Sequence, residues 1–141
     1  AVAELVQRAP AVTFVLDHLG KPDLRSGLLE PWRRDLARLA RSPNVACKLS
    51  GLVTEADHAR WTPADLEPYL GHALDCFGSE RLLFGSDWPV VRMATTYARW
   101  VETLAAFLDS RLDVAERECI WRSNARRIYR LGSPAASPVG W

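Results

Sequence analysis

The chain has no apolar run approaching the roughly 18 to 20 residues that a membrane-spanning helix requires, and no charged segment leading into a short apolar one. It has no block of like charge. The 18 Lys and Arg are interleaved with 17 Asp and Glu over 141 residues, so the basic patch of a nucleic-acid binder is missing. It lacks the G-x-G-x-x-G loop of a nucleotide-binding sheet, and it lacks H-x-H and H-E-x-x-H, the compact zinc-binding patterns. Cysteine is scarce: Cys47, Cys76 and Cys119 are odd in number and lie 29 and 43 positions apart. That spacing excludes a disulfide framework and a zinc knuckle, and points to a reducing compartment, the cytoplasm. No methionine opens the chain; Ala-Val-Ala-Glu-Leu-Val enters a helix at once, which reads as a piece of a longer protein.

What is present is a repeating beat. Val12–His18 is a β-rich run that stops at Gly20, Lys21 and Pro22, and its alternation sets Phe14, Leu16 and His18 on one face and Thr13, Val15 and Asp17 on the other. A helix over Pro31–Arg41 follows, with Pro31 at its first position and an apolar stripe of Trp32, Leu36, Leu39 and Ala40. The second strand, Val45–Ser50, closes on Gly51 and gives way to a polar loop, Val53–Trp61. Thr62, Pro63 and Asp65 then spell a capping box for a helix whose stripe is Leu66, Leu70, Ala73, Leu74 and Phe77, with Gly78 at its end. The third strand, Leu82–Phe84, runs into Gly-Ser-Asp-Trp-Pro. A helix over Thr96–Asp109 follows, then one capped by Asp113 with Glu116, and a last one starting at Ser123 or Asn124 and ending near Gly132.

Strand spacings of about 30 to 40 residues fit helical crossovers and exclude hairpins, so the strands are parallel. Two architectures satisfy this, an open doubly wound sheet and a part of a (β/α)8 barrel. In both, sites form at the C-terminal ends of strands. Each strand here ends in a polar group: His18, then Lys48 and Ser50, then Asp87. Singly, each has an ordinary reading, as a hydrogen-bonded core histidine, a snorkelling lysine or a turn aspartate. Together, an imidazole and a carboxylate at one mouth make an acid–base pair or two ligands of a divalent metal, zinc or manganese. His58, in the second loop, lies within reach of a substrate there, whereas His72 falls on a helix surface. Trp88, next to Asp87, offers an aromatic platform for a flat or sugar-like substrate. Trp32 and Trp100 belong to the core, and Trp61 closes the polar loop.

FVLDHLGKP (14–22), NVACKLSGLVTEAD (44–57), WTPADLEPYLGHALDCFGSERLLFGSDWPV (61–90) and SNARRIYRL (123–131) together resemble the amidohydrolase-related, metal-dependent hydrolases of the TIM-barrel type, and among them the sugar-lactone and dicarboxylate-lactone hydrolases. The resemblance implies an α/β fold, strands six to eight of a (β/α)8 barrel over residues 1–132, with 133–141 a loose tail. It implies Asp87 as general base and metal ligand, and His18 as ligand of metal or substrate carbonyl. Lys48, Trp88 and His58 then stand as substrate-binding residues. The cofactor it implies is one divalent metal, with some members needing none. The implied partner is a small lactone or related carboxylic acid, with neither nucleic acid nor membrane, and with self-association of the full-length protein left open. A full barrel needs about 250 residues, so the first-strand ligands fall outside this sequence and the chain alone is expected to be catalytically silent. Carbon–carbon lyases and decarboxylases of the same superfamily share the final Asp, and an inactive half-barrel or binding module is a third reading. If the barrel reading holds, the strands run in sequential order. His18 and Asp87 then project to the concave face, their polar atoms about 4 to 8 Å apart, with Lys48 between them.

Overall fold

The computed structural model describes residues 2–132; the expected tail at 133–141 lies outside the described residues. Three strands, β1 (Phe14–Leu16), β2 (Val45–Leu49) and β3 (Leu82–Phe84), form a parallel sheet in the order β1-β2-β3. The helices are α1 (Val2–Arg8), α2 (Trp32–Ala40), α3 (Leu52–Glu55), α4 (Pro63–Phe77), α5 (Tyr97–Asp109), α6 (Val114–Glu118) and α7 (Asn124–Ile128). The sequential parallel order is the one expected of barrel strands.

The pleat sorts the strand residues. Phe14 and Leu16, Val45, Cys47 and Leu49, and Leu82 and Phe84 share one face and join the helix-packed core with Leu36, Leu66, Leu70, Trp100 and Leu104. Val15, Ala46, Lys48 and Leu83 lie on the opposite face. Burial pushes the Cys47 thiol up to about 12, which keeps it a neutral apolar filler and removes it as a thiolate ligand. All three cysteines are free.

The two ends of the sheet differ in kind. At the N-terminal end, polar side chains tie backbone to backbone. Arg81 donates to the carbonyls of Ala40, Ser42, Val45 and Cys76, and Asn44 donates to those of Ala9 and Val12. Buried Asn124 donates to Ser79 and Leu82. These bonds engage carbonyls at helix and strand ends, two of which, Ala9 and Ser42, also accept from backbone N–H groups. This end holds the fold; the other end is free to carry chemistry.

Local chemistry sets most boundaries. Thr62 with Asp65, and Asp113 with Glu116, form the two expected capping boxes. Gly78 takes a positive φ of 62° at the end of α4. Four expectations need correction. The first strand is shorter than Val12–His18, because the chain leaves extended geometry at Asp17. Pro31 precedes α2 as its N-cap rather than opening it. The stretch read as polar loop contains α3, whose Leu52 and Val53 are buried and anchor one helical turn on the core. The last helix starts at Asn124 as expected but ends at Ile128 rather than near Gly132, and the chain enters it without a break. A π-helical turn, Cys119–Ser123, carries α6 into α7 and places Asn124 against β3. No helix among the described residues is long and apolar enough to cross a membrane.

Candidate active site

At the C-terminal end of β1 the backbone turns left-handed. His18 (φ 55°), Leu19 (φ 51°), Gly20 (φ 72°) and Lys21 (φ 54°) follow one another with positive φ. For residues with a Cβ this costs about 1–2 kcal/mol each, so the surroundings must hold it. They do so by three means. Leu19 is fully buried, its carbonyl accepts a 2.7 Å hydrogen bond from the Trp32 indole N–H, and the Lys21 N–H bonds back to the His18 carbonyl at 2.8 Å. The Lys21 ammonium, 2.9 Å from Glu55, ties the turn to α3.

That turn decides where His18 points. The expectation that His18 shares a concave face with Leu16 is overturned, since Leu16 packs into the helix-side core. Asp17, the first residue after β1, lies toward the other face, its Oδ1 2.6 Å from the Lys48 ammonium. His18 reaches the mouth through its left-handed backbone. There its Nδ1 lies 2.8 Å from the hydroxyl of fully buried Ser50, and its Nε2 lies 3.8 Å from Asp87 Oδ1. This is at the short end of the expected range. Asp87 is also left-handed (φ 56°); the Thr54 hydroxyl donates to the Gly51 carbonyl at 2.9 Å and lies 3.4 Å from Asp87 Oδ2, so the two acceptors compete for its single proton. The His18 and Asp87 side chains keep 28% and 12% of their exposure, so they are partly desolvated yet open to a small molecule.

Glycine makes the close approach feasible. A Cβ on Gly51 would sit 2.7 Å from His18 Nδ1, and one on Gly85 would sit 2.8 Å from Ser50 Cβ and 2.9 Å from the Lys48 stem. Both strand ends therefore need a residue without a side chain beside the pair.

The other expected residues lie near the pair without joining it. Lys48 is tethered to Asp17, and its ammonium sits 5.9 Å from the Tyr129 ring. Partial burial works against its charge, but the bond to Asp17 and the adjoining Tyr129 phenol outweigh this and hold its pKa above the ordinary lysine value. His58 Nε2 is 2.9 Å from the Thr54 carbonyl, to which it donates. Trp88 is 64% exposed. Trp61 is buried, its indole N–H on the Ala94 carbonyl, and His72 donates to the Arg33 carbonyl. Sequence reasoning missed Asp17, Thr54 and Tyr129. For Asp17 the signal was present, since the Val15–Asp17 alternation already set it opposite the core face.

Ser50 can donate to His18 Nδ1, leaving an Nε2–H that faces a carbonyl oxygen, or accept from Nδ1–H, leaving a bare Nε2 for a cation. In either state the hydroxyl fixes the ring. A Ser50→Ala variant should fold and yet lose about 10- to 100-fold in turnover or metal affinity. Unchanged kinetics together with an unchanged His18 ring ¹⁵N spectrum would remove Ser50 from this role.

Comparison with known proteins adds the following. The Amidohydrolase family profile matches residues 1–131. The chain is 45% identical over 137 residues to an L-fucono-1,5-lactonase of Burkholderia multivorans, covering 91% of this chain and 46% of that protein. It is 38% identical to an L-fucono-1,5-lactonase of Burkholderia ambifaria, covering 96% and 47%. A crystal structure of an amidohydrolase from Burkholderia multivorans with bound Zn superposes with a TM-score of 0.88 at 44% identity, covering 93% of this chain and 48% of that one. A putative 2-pyrone-4,6-dicarboxylic acid hydrolase from Pseudomonas putida superposes with a TM-score of 0.72 at 25% identity, covering 94% and 49%. The chain thus spans about half the length of the relatives it matches.

Proposed function

The chain belongs to the amidohydrolase family, and on that basis we propose that it carries the strand-end groups of a lactone hydrolase, with Asp87 as general base and His18 as ligand of the substrate carbonyl or of a metal. The observation that carries this reading is the 3.8 Å approach of His18 Nε2 to Asp87 Oδ1. One water or one substrate oxygen bridges such a gap. The likeness to L-fucono-1,5-lactonases supports a sugar lactone as substrate, and the Pseudomonas putida relative supports a cyclic ester more broadly.

The metal deserves a separate test against the donors. A catalytic zinc is generally held by three protein ligands with one position open. His18 Nε2 and Asp87 Oδ1 are two donors of the right kind, but among the described residues no group of three or more His, Cys, Asp or Glu comes together to hold an ion. These residues do not form a complete metal site by themselves.

Hydrolysis of a lactone needs a water stripped of a proton, a donor for the oxyanion and a proton for the departing alkoxide. Asp87, with Thr54 beside its Oδ2, takes the water proton at Oδ1 and returns it to the ring oxygen as the acyl C–O bond breaks. His18, oriented by Ser50, presents Nε2–H to the carbonyl oxygen, where negative charge develops. Lys48 and Trp88 line the same rim as substrate-positioning groups, and His58 braces Thr54 from behind.

The test is proton release on a pH-stat with L-fucono-1,5-lactone and 2-pyrone-4,6-dicarboxylate, assayed in the complete protein. Turnover of either lactone supports the reading. Turnover that releases carbon dioxide or cleaves a carbon–carbon bond, with both lactones left intact, overturns it.

A further inference from the structure

A groove of about 560 Å³ starts at Trp88, the residue after Asp87, and is lined by Trp88, Arg92, Thr95, Thr96, Tyr97 and Arg99. These residues belong to the loop after β3 and the start of α5, so the groove shares Trp88 with the substrate rim but holds neither Asp87 nor His18. Its lining has a marked chemical bias. It contains two guanidiniums, three hydroxyls counting the Tyr97 phenol, and two aromatic side chains, and no carboxylate.

Arg92 is exposed; its backbone N–H bonds to the Pro89 carbonyl at 3.1 Å, but among the described residues its guanidinium has no hydrogen bond, ion pair or ring contact. Arg99 is held in place, its guanidinium 4.2 Å over the Trp61 ring and its Nη2 3.4 Å from the Trp61 carbonyl, which leaves further N–H groups unassigned. Thr95 Oγ1 is shielded from solvent and has no hydrogen-bond partner among the described residues. The first turn of α5 contains no acidic residue to offset its positive end. The walls are apolar and half open, with Trp88 64% and Tyr97 49% exposed. Uncompensated guanidinium charge calls for an anion, and flanking aromatic faces call for a flat or ring-shaped body.

We propose that this groove is a second ligand site, taking a carboxylate carried on a ring, with Arg92 as its charge partner and Trp88 and Tyr97 as its walls. The assignment does not depend on lactone hydrolysis, and its test reads binding without turnover. Benzoate, benzyl alcohol and inorganic phosphate are titrated into the protein separately, following the indole N–H resonance of Trp88, which is identified by its loss in Trp88→Phe. Benzoate should shift that resonance saturably and bind at least about tenfold more tightly than either of the other two. Benzyl alcohol supplies the ring alone and phosphate the charge alone. Arg92→Gln should weaken benzoate about tenfold and leave benzyl alcohol unchanged. Arg111→Gln, which removes a charge beyond the far end of α5, should leave both unchanged. Since Arg92 is exposed and its guanidinium is unpartnered among the described residues, its replacement does not threaten the fold. Equal binding of benzoate and benzyl alcohol, equal binding of phosphate, or insensitivity to Arg92→Gln would each overturn the proposal.

Discussion

Asp87→Asn should lower kcat for lactone hydrolysis by about two to four decades in the complete protein, with KM moving far less. Asparagine keeps the shape of the side chain, and its carbonyl oxygen can keep the place beside the Thr54 hydroxyl. It also tolerates the left-handed φ of 56° at this position, so the backbone has no reason to move. What is lost is the capacity to take a proton. Asp57→Asn is the matching control: Asp57 pairs with Arg60 at the surface, and arginine holds its carboxyl below the usual range, but it does not touch His18. Turnover within a factor of ten of the parent in Asp87→Asn would remove Asp87 as general base.

Gly51→Ala should damage both stability and turnover, through geometry alone. The residue sits at φ +67°, where an alanine costs about 1–2 kcal/mol. Its new Cβ would lie 2.7 Å from His18 Nδ1 and 2.8 Å from His18 Cβ and Cγ, closer than real carbon contacts allow. Neither neighbour yields easily. Gly51 lies between buried Ser50 and Leu52, and His18 is fixed by the left-handed turn clamped through Leu19. The imidazole must swing out, breaking its contacts with Ser50 and Asp87 together. A combined loss of about 2–4 kcal/mol in unfolding free energy is expected, with a fall of about 100-fold in kcat measured where the variant is still folded. Gly71→Ala gives the contrast. That glycine lies inside α4 with nothing within 4 Å of a Cβ, so alanine there should stabilise by about 0.5–1 kcal/mol and leave kcat unchanged. Thermal melts and steady-state rates of both variants check the pair. A Gly51→Ala protein with native melting and native rates would show that His18 does not occupy the place described.

The parts of the fold legible in the sequence are those set by neighbours along the chain. The Thr62–Asp65 and Asp113–Glu116 boxes announce their helices because a cap is satisfied within four residues. The three strands were readable from β-rich runs ended by Gly20, Gly51 and Gly85, and the polar residue at each strand end marked the rim where the site forms. The meeting of His18 with Asp87 was legible, but the reason for it was not. Nothing in Asp-His-Leu-Gly-Lys signals that histidine, leucine and lysine adopt positive φ; burial of Leu19 and the Trp32 indole impose it from distant parts of the chain. For the same reason β1 reads too long. One turn of helix at Leu52–Glu55 is too short for periodicity to reveal, and only the burial of Leu52 and Val53 holds it. The π-helical turn before Asn124 is likewise a tertiary matter, since the asparagine amide is committed to two carbonyls at the β3 end.

The central claim is that His18 and Asp87 act as one unit on one substrate bond, and a double-mutant cycle on kcat/KM measures this directly. His18→Asn is the appropriate single change, because asparagine accepts the left-handed backbone that His18 occupies. If the two groups serve the same step across their 3.8 Å gap, the double variant His18→Asn/Asp87→Asn should be no more than about threefold worse than Asp87→Asn alone. Losses that multiply, so that the double variant falls by the full product of the two single effects, would contradict a shared site.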